Sequence, residues 1–191
     1  SRTARWRFRG DSNPLSRSMD EHATPPVSIR EAVRADQAAI LVINNAAVPA
    51  MNELDAGALD WLMRHAAYAR VAEDTGGIAA FLLGLPPGVA YDSANYRWFA
   101  ERYRDFLYID RIAVAARARR LGVGSALYND IADFARGGWS CLLAEVTRDP
   151  PNPVSIVFPK RHGFATLGAL EHARVVVGLE REVGIAHRDF R

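Results

Sequence analysis

Arg119, Arg120, Leu121, Gly122, Val123 and Gly124 follow an apolar, strand-like run from Phe106 to Val114 and open an amphipathic helix. Two glycines at this spacing let backbone N–H groups converge on one point with no Cβ in the way. A helix N-terminus behind them adds partial positive charge. This is the chemistry of a phosphate cradle, and a pyrophosphate is its natural guest. Two nucleotide readings fail on particular residues. A Walker loop needs Gly-Lys-Ser/Thr, whereas Gly124 runs directly into Ser125. A dinucleotide fingerprint finds an acid in Glu145, about twenty residues further on, but Leu127 stands where its third small residue belongs and would hold helix and strand apart.

Other reactive types are sparse. Cys141 is the one cysteine, which excludes an internal disulfide and a thiolate-rich metal site, and its apolar neighbours read as those of a buried structural thiol. His22, His65, His162, His172 and His187 show no metal-ligand spacing and read as surface or boundary residues.

The elements that must position the cradle follow from periodicity. A chain of 191 residues with 49% apolar content can bury one full core, so one domain is expected. Strands are predicted at Val27 to Glu31, Tyr68 to Glu73, Ile78 to Leu85, Phe106 to Val114, Leu142 to Val146, Ala165 to Leu170 and Ala173 to Glu182. Helices are predicted from Arg34 to Asn45, from Asp55 to His65, from Gly122 to Arg136 and from Val154 to Arg161. Pro86, Pro87 and Gly88 open a segment read as irregular up to Arg104, rich in aromatics and suited either to covering a core edge or to walling a small-molecule pocket. This order implies a single α/β (α+β) domain with one mixed sheet flanked by helices.

Charge is uneven. Five arginines against one aspartate crowd the first eighteen residues, so the net +2 of the whole chain leaves a slightly acidic body and no basic groove for nucleic acid. Residues 1–24 read as a disordered basic extension and 25–191 as the folded domain. The longest apolar run, Ile78 to Leu85, is far short of a membrane span, so no membrane partner and a cytoplasmic location are expected.

Strand, Arg119-x-x-Gly122-x-Gly124, helix, strand, then Asn152-x-x-Ser155 and the Gly163-Phe164 pair form a pattern that resembles the GCN5-related N-acetyltransferase (GNAT) superfamily. The resemblance spans Val27 to Glu182. It looks closest to a bacterial branch of predicted acetyltransferases that share an insertion like Tyr91 to Phe99 and an Asp-Pro-Pro-Asn-Pro turn.

The resemblance implies a mostly antiparallel, splayed sheet and acetyl-CoA as the cofactor. Its pyrophosphate would lie on the amides of Leu121, Gly122, Val123, Gly124 and Ser125, with Arg117, Arg119 and Arg120 as charged donors. Its pantetheine would lie against backbone at Ile112 and Val114, with Asn152, Ser155 and Phe158 nearby and the Val114 N–H polarising the thioester. The implied reaction is acetyl transfer to a primary amine, either on a small molecule or on an exposed peptide amino group. A second copy of the chain is the homodimer partner to consider.

Such transfer needs a base, because an alkylammonium is only about 0.04% neutral at pH 7. Asp110 is the first candidate, as base or ammonium anchor, with a salt bridge to a neighbouring arginine as the plain alternative. Tyr108 shares its face by period-two alternation, and Glu145 is the other carboxylate. Asn44 and Asn45 would line the acceptor site or simply end their helix, and Tyr91, Tyr96 and Trp98 would wall it. Pro159 occupies the place where many relatives carry a tyrosine general acid, leaving Tyr108, Tyr96 or water for that role. The same departure keeps a catalytically inactive CoA-binding sensor as the alternative function.

Overall fold

The computed structural model describes residues 27–147, 153–170 and 173–183. The basic extension and Asn152 lie outside them, as do most of the Asp149 to Pro153 turn and His22, His172 and His187. The chain runs β1 (Ser28–Glu31), α1 (Gln37–Asn45), α2 (Ala56–His65), β2 (Tyr68–Asp74), β3 (Gly77–Leu85), α3 (Ala94–Arg102), β4 (Phe106–Val114), α4 (Val123–Ala135), β5 (Cys141–Thr147), α5 (Pro153–Arg161), β6 (Ala165–Leu170) and β7 (Ala173–Glu182). Short 3-10 turns at Arg34–Asp36 and Ala116–Ala118 precede α1 and α4.

The strands form one sheet in the order β1-β2-β3-β4-β5-β7-β6. Only β4 and β5 run parallel, so the sheet is mixed and mostly antiparallel. Side chains alternating along β3 define two cores. Ala80 and Leu82 pack with Val123, Leu127 and Ile131 of α4. Phe81, Leu83 and Leu85 pack with Ile40 of α1, Leu59 of α2, and Tyr96 and Phe99 of α3. Helix α4 forms because its apolar residues Val123, Leu127, Tyr128, Ile131 and Ala135 fall on one stripe of a 3.6-residue repeat. Helix α2 starts where the Asp55 carboxylate accepts from the Ala58 N–H, as its sequence predicts.

One expectation is corrected. The segment read as irregular between Pro86 and Arg104 contains α3. Ser93 caps it by accepting from the Tyr96 N–H, and Tyr96, Phe99 and Tyr103, spaced by three and four, form its inward face. The density of aromatics concealed a helical spacing that was present.

Two departures from regular strand geometry shape the centre of the sheet. Leu83 pairs with Arg111 but Gly84 pairs with Ile109, so Asp110 is an extra residue, a bulge in β4. Alternation therefore changes phase there. Phe106 and Tyr108 face the α1–α3 side, as does Ala113 beyond the bulge, while Leu107, Ile109, Ile112 and Val114 face α4. The second departure is a fork: the β4–β5 ladder ends at Ile109 and Ala144, after which β5 stays with β7 alone up to Thr147. This is the splay expected of the sheet.

Candidate active site

The fork and the start of α4 lie together. The Ala115 N–H donates to the Ala79 carbonyl at 2.8 Å. Because bonded residues alternate along an antiparallel ladder, the N–H and C=O groups of Val114 and Ile112 turn away from β3, into the fork. Arg119 Nε donates to the Val114 carbonyl at 3.3 Å, which leaves the Val114 N–H facing the gap together with the Ile112 N–H and C=O.

Beyond β4 the chain turns through Arg120, with φ of 65°, and Gly122, with φ of 79°, into α4. A Cβ on Gly122 would meet nothing within 4 Å, so the space beside it is open and the left-handed backbone is what calls for glycine. The first bond closed inside the helix runs from the Ala126 N–H to the Gly122 carbonyl at 3.0 Å. Among the described residues no side chain caps the N–H groups that precede it, those of Val123, Gly124 and Ser125. The cradle thus offers bare amides to open space. Gly124 serves a different purpose: a Cβ there would stand 3.1 Å from Phe158 Cζ and 3.6 Å from Val114 Cγ2, so its smallness lets α5 approach α4.

The remaining expected cofactor contacts divide. Arg119 and Arg120 are exposed beside the cradle, and Leu121 lies at the surface between them and Gly122. Arg117 points elsewhere, donating to the Asp74 carboxylate at 2.7 Å and to the Gly77 and Ile78 carbonyls at 3.1 Å, so it fastens the β2–β3 hairpin. Ser125 Oγ meets His162 Nε2 at 3.1 Å. Phe158 packs edge-on against Tyr128, with ring centres 5.0 Å apart, and covers one side of the fork. Of Ser155 only the helical backbone is described. Pro159 is buried within α5, so that position offers no proton donor.

At the crotch of the fork two carboxylates face each other, since Asp110 and Glu145 are the first residues past the last β4–β5 pair. Their surroundings differ. Asp110 accepts from Arg111 Nε at 2.8 Å, and its side chain is 4% exposed. That ion pair is the plain alternative read from sequence. Glu145 Oε1 accepts from the Tyr108 hydroxyl at 2.7 Å and from Asn95 Nδ2 at 3.1 Å, while Oε2 is buried without a partner. Desolvation pushes the Glu145 pKa from the ordinary 4.5 up to about 7; the Tyr108 bond opposes the rise, the Asp110 charge adds to it and the Asn95 bond opposes it. Tyr108, fully buried, is itself pushed well above 10 by burial and then by the Glu145 charge, so its hydroxyl keeps its proton and donates.

On the acceptor side the expected residues form a scaffold. Asn44 Nδ2 donates to the Asn52 carbonyl at 3.1 Å and its Oδ1 accepts from Arg111 Nη1 at 2.9 Å. Asn45 exchanges bonds with the N–H and C=O of Leu54, both at 3.0 Å. The two amides tie down the α1–α2 loop, and Asn44 is wholly buried. The Tyr91 ring stacks on Trp61 at 5.6 Å, and burial and then the Asp110 charge push its hydroxyl above the ordinary 10, so it keeps its proton. Tyr96 gives its proton to the Pro86 carbonyl at 2.6 Å and packs edge-on against Tyr108. Trp98 packs on Phe99 and lies under the Arg102 guanidinium, 4.1 Å from the ring centre.

Sequence reasoning missed Asn95, and it foresaw an arginine paired with Asp110 but not the place of Arg111 on the same face, bonded to Asn44. The bulge hid Arg111, because strict alternation from Asp110 would send it to the opposite face. The unread α3 hid Asn95, although Ser93 two residues earlier was a usable capping signal. Cys141 is buried as expected, and burial pushes its thiol up to about 11, where it is inert at neutral pH. Among the described residues no three His, Cys, Asp or Glu side chains could hold a metal, and no helix is long and apolar enough to cross a membrane.

Residues 40–164 match the model of the acetyltransferase (GNAT) family. No curated protein matches the chain in sequence. Among solved structures, the fold is similar to that of Ard1 from Thermoplasma volcanium, at 23% identity and a TM-score of 0.65 over 82% of this chain and 97% of that one. The ribosomal-protein-S18-alanine N-acetyltransferase from Escherichia coli is similar at 17% identity and a TM-score of 0.64, covering 87% and 99% of the two chains. N-acetylglutamate synthase from Neisseria gonorrhoeae, solved with coenzyme A and N-acetyl-glutamate, matches at 23% identity and a TM-score of 0.61, over 85% of this chain but 35% of that one. At these identities the likeness is one of fold.

Proposed function

Since the chain belongs to the acetyltransferase (GNAT) family, whose members are acetyl-CoA-dependent N-acetyltransferases, we propose that it acetylates a primary amine by direct attack in a ternary complex, with Glu145 taking the amine's proton. The acceptor is an amine of a small molecule or an exposed peptide amino group. Acetyl-CoA supplies the activated acetyl group: the amine nitrogen forms a bond to the acetyl carbon, the carbon–sulfur bond breaks, and its electron pair leaves with sulfur.

The chain's residues divide the work. The amides of Val123, Gly124 and Ser125 hold the pyrophosphate, with Arg119 and Arg120 beside them. The Val114 N–H in the fork donates to the carbonyl oxygen as negative charge develops there. Arg117 and the two asparagines support their loops and touch neither reactant.

Glu145 is the better base of the two carboxylates. A group titrating at about 7 is half ionised at neutral pH and still basic enough to accept a proton, directly or through one water. Asp110 is held in an ion pair with Arg111, its neighbour across the bulge of β4. The leaving thiol, with a pKa near 8.5, departs as thiolate at a cost of only about 2 kcal/mol at pH 7, so a proton from solvent suffices. The hydroxyls of Tyr96 and Tyr108 are engaged with the Pro86 carbonyl and Glu145.

The observation that carries this reading is the buried Oε2 of Glu145 at the crotch of the fork, without a partner among the described residues. A thiol-release assay with acetyl-CoA, run across amino acids, polyamines, aminoglycosides and peptides, tests it. Acceptor-dependent release that collapses in Glu145→Gln is expected. No thiol release with any of these acceptors, in a protein that still binds CoA, would sink the reading and leave a sensor.

A further inference from the structure

Three buried side-chain atoms lack a partner among the described residues: Trp98 Nε1, Arg181 Nη1 and Glu145 Oε2. The last differs from the others in how its group is held. Its sister oxygen, Oε1, accepts from two donors on two different elements, the Tyr108 hydroxyl of β4 at 2.7 Å and Asn95 Nδ2 of α3 at 3.1 Å. A carboxylate oxygen has about two lone-pair sites, so those of Oε1 are spent. We infer that Asn95 is a positioning residue which, with Tyr108, saturates Oε1 of Glu145 and reserves Oε2 for the amine or its relay water. The inference rests on the reading of Glu145 as the base.

Local structure explains how α3 achieves this. Asn95 lies in the first turn of the helix, one residue before Tyr96, whose N–H is capped by Ser93 and whose ring packs 5.4 Å from the Tyr108 ring. The contact that docks α3 on the sheet therefore brings the Asn95 amide to the carboxylate. Two donors on one oxygen also fix the plane of the carboxylate, so the two oxygens do not exchange roles.

A hydrogen bond to the charged form of an acid favours that form. Asn95 thus holds Glu145 below the value its burial alone would give. The groups facing Glu145 are few. From β4 come Tyr108 and Asp110, the latter paired with Arg111; α1 reaches that pair through uncharged Asn44, and the segment before α3 through Tyr91. On β7 the residue opposite is Gly178, which brings no charge.

Carboxyl carbon-13 NMR of protein labelled at glutamate tests this without an acceptor. The resonance missing from Glu145→Gln belongs to Glu145, and its midpoint is read against pH in the wild type, Asn95→Ala and Asn95→Asp. Asn95→Ala should move the midpoint upward by about one pH unit, and Asn95→Asp, which replaces a donor by a second acid, should move it further. An unmoved midpoint in both variants, each folded by circular dichroism, overturns the inference while leaving the base assignment intact. Full turnover in Glu145→Gln would instead remove the base, and with it the purpose of a reserved oxygen, whatever the midpoints do.

Discussion

The two halves of the site are made of different material. The half proposed for the cofactor is backbone: the N–H of Val114 and the amides at the start of α4, shaped by glycine and by positive φ angles. The half proposed for the acceptor is side chain: Glu145, Tyr108, Asn95, Asp110, Arg111 and Asn44, drawn from four helices and strands and linked by hydrogen bonds and ion pairing. A backbone site recognises what every donor substrate shares, whereas a side-chain network can vary with the acceptor while the fold stays put.

The sharpest way to break this contrast is to place a charge in the backbone half. Gly122→Asp puts a carboxylate into the open space proposed for the pyrophosphate. About 4 kcal/mol of repulsion at close range corresponds to roughly a thousand-fold loss of CoA affinity by calorimetry. Stability should fall by only about 1 kcal/mol, the strain of a side chain at φ of 79°, since nothing packs there. Retained affinity would move the phosphate site elsewhere.

Glu145→Gln probes the other half. Turnover should fall about a hundred-fold with CoA affinity unchanged. Stability should move the opposite way. The folded pKa of about 7 lies above the ordinary 4.5, so the native state holds the proton more tightly; the stability this gives is full below about 4.5 and is lost as pH rises through 7. At pH 8 the wild type carries a buried charge that the amide variant lacks, and denaturant titration should find the variant more stable by up to about 3 kcal/mol. That gain should vanish by pH 4.

Asn44→Ala removes the partner of a buried arginine and the clamp on the α1–α2 loop. A loss of about 2 kcal/mol in stability is expected, together with a raised KM for the acceptor but not for acetyl-CoA. The smallest effect belongs to Gly124→Ala. The new methyl would press on Phe158 at 3.1 Å, costing about 1 kcal/mol and weakening CoA binding only as α5 shifts.

The same contrast governs what the sequence can reveal. Backbone sites leave a signature in residue type, because only glycine adopts φ of 79° cheaply and only a helix start provides bare amides, so Gly122 and α4 are legible without coordinates. Side-chain networks leave none, since each member is an ordinary residue until the fold brings it to its partner. Alternation favours Asp110 over Glu145 because it puts Asp110 beside Tyr108. The bulge that makes Asp110 the extra residue, and Arg111 its partner, depends on the pairing with β3 and not on β4 itself. Nearness in sequence assigns Arg117 to phosphate, but Asp74, distant in the chain, claims it. Strand and helix order is legible where apolar periods are clean. It fails at α3, where proline and glycine at one end outweigh a capping serine and a spacing of three and four.

The parting of β4 from β5 after Ile109 and Ala144 has a thermodynamic corollary. A sheet normally secures each inner strand on both edges, and here part of one edge is left open, in the proposed reading to a guest that is not protein. Occupancy by acetyl-CoA therefore completes the seam: at a hundred times its dissociation constant the guest adds about 2.7 kcal/mol to the folded state. Resistance of this protein to heat and proteolysis should then rise and fall with the supply of its acyl donor, making its lifetime a readout of cofactor abundance.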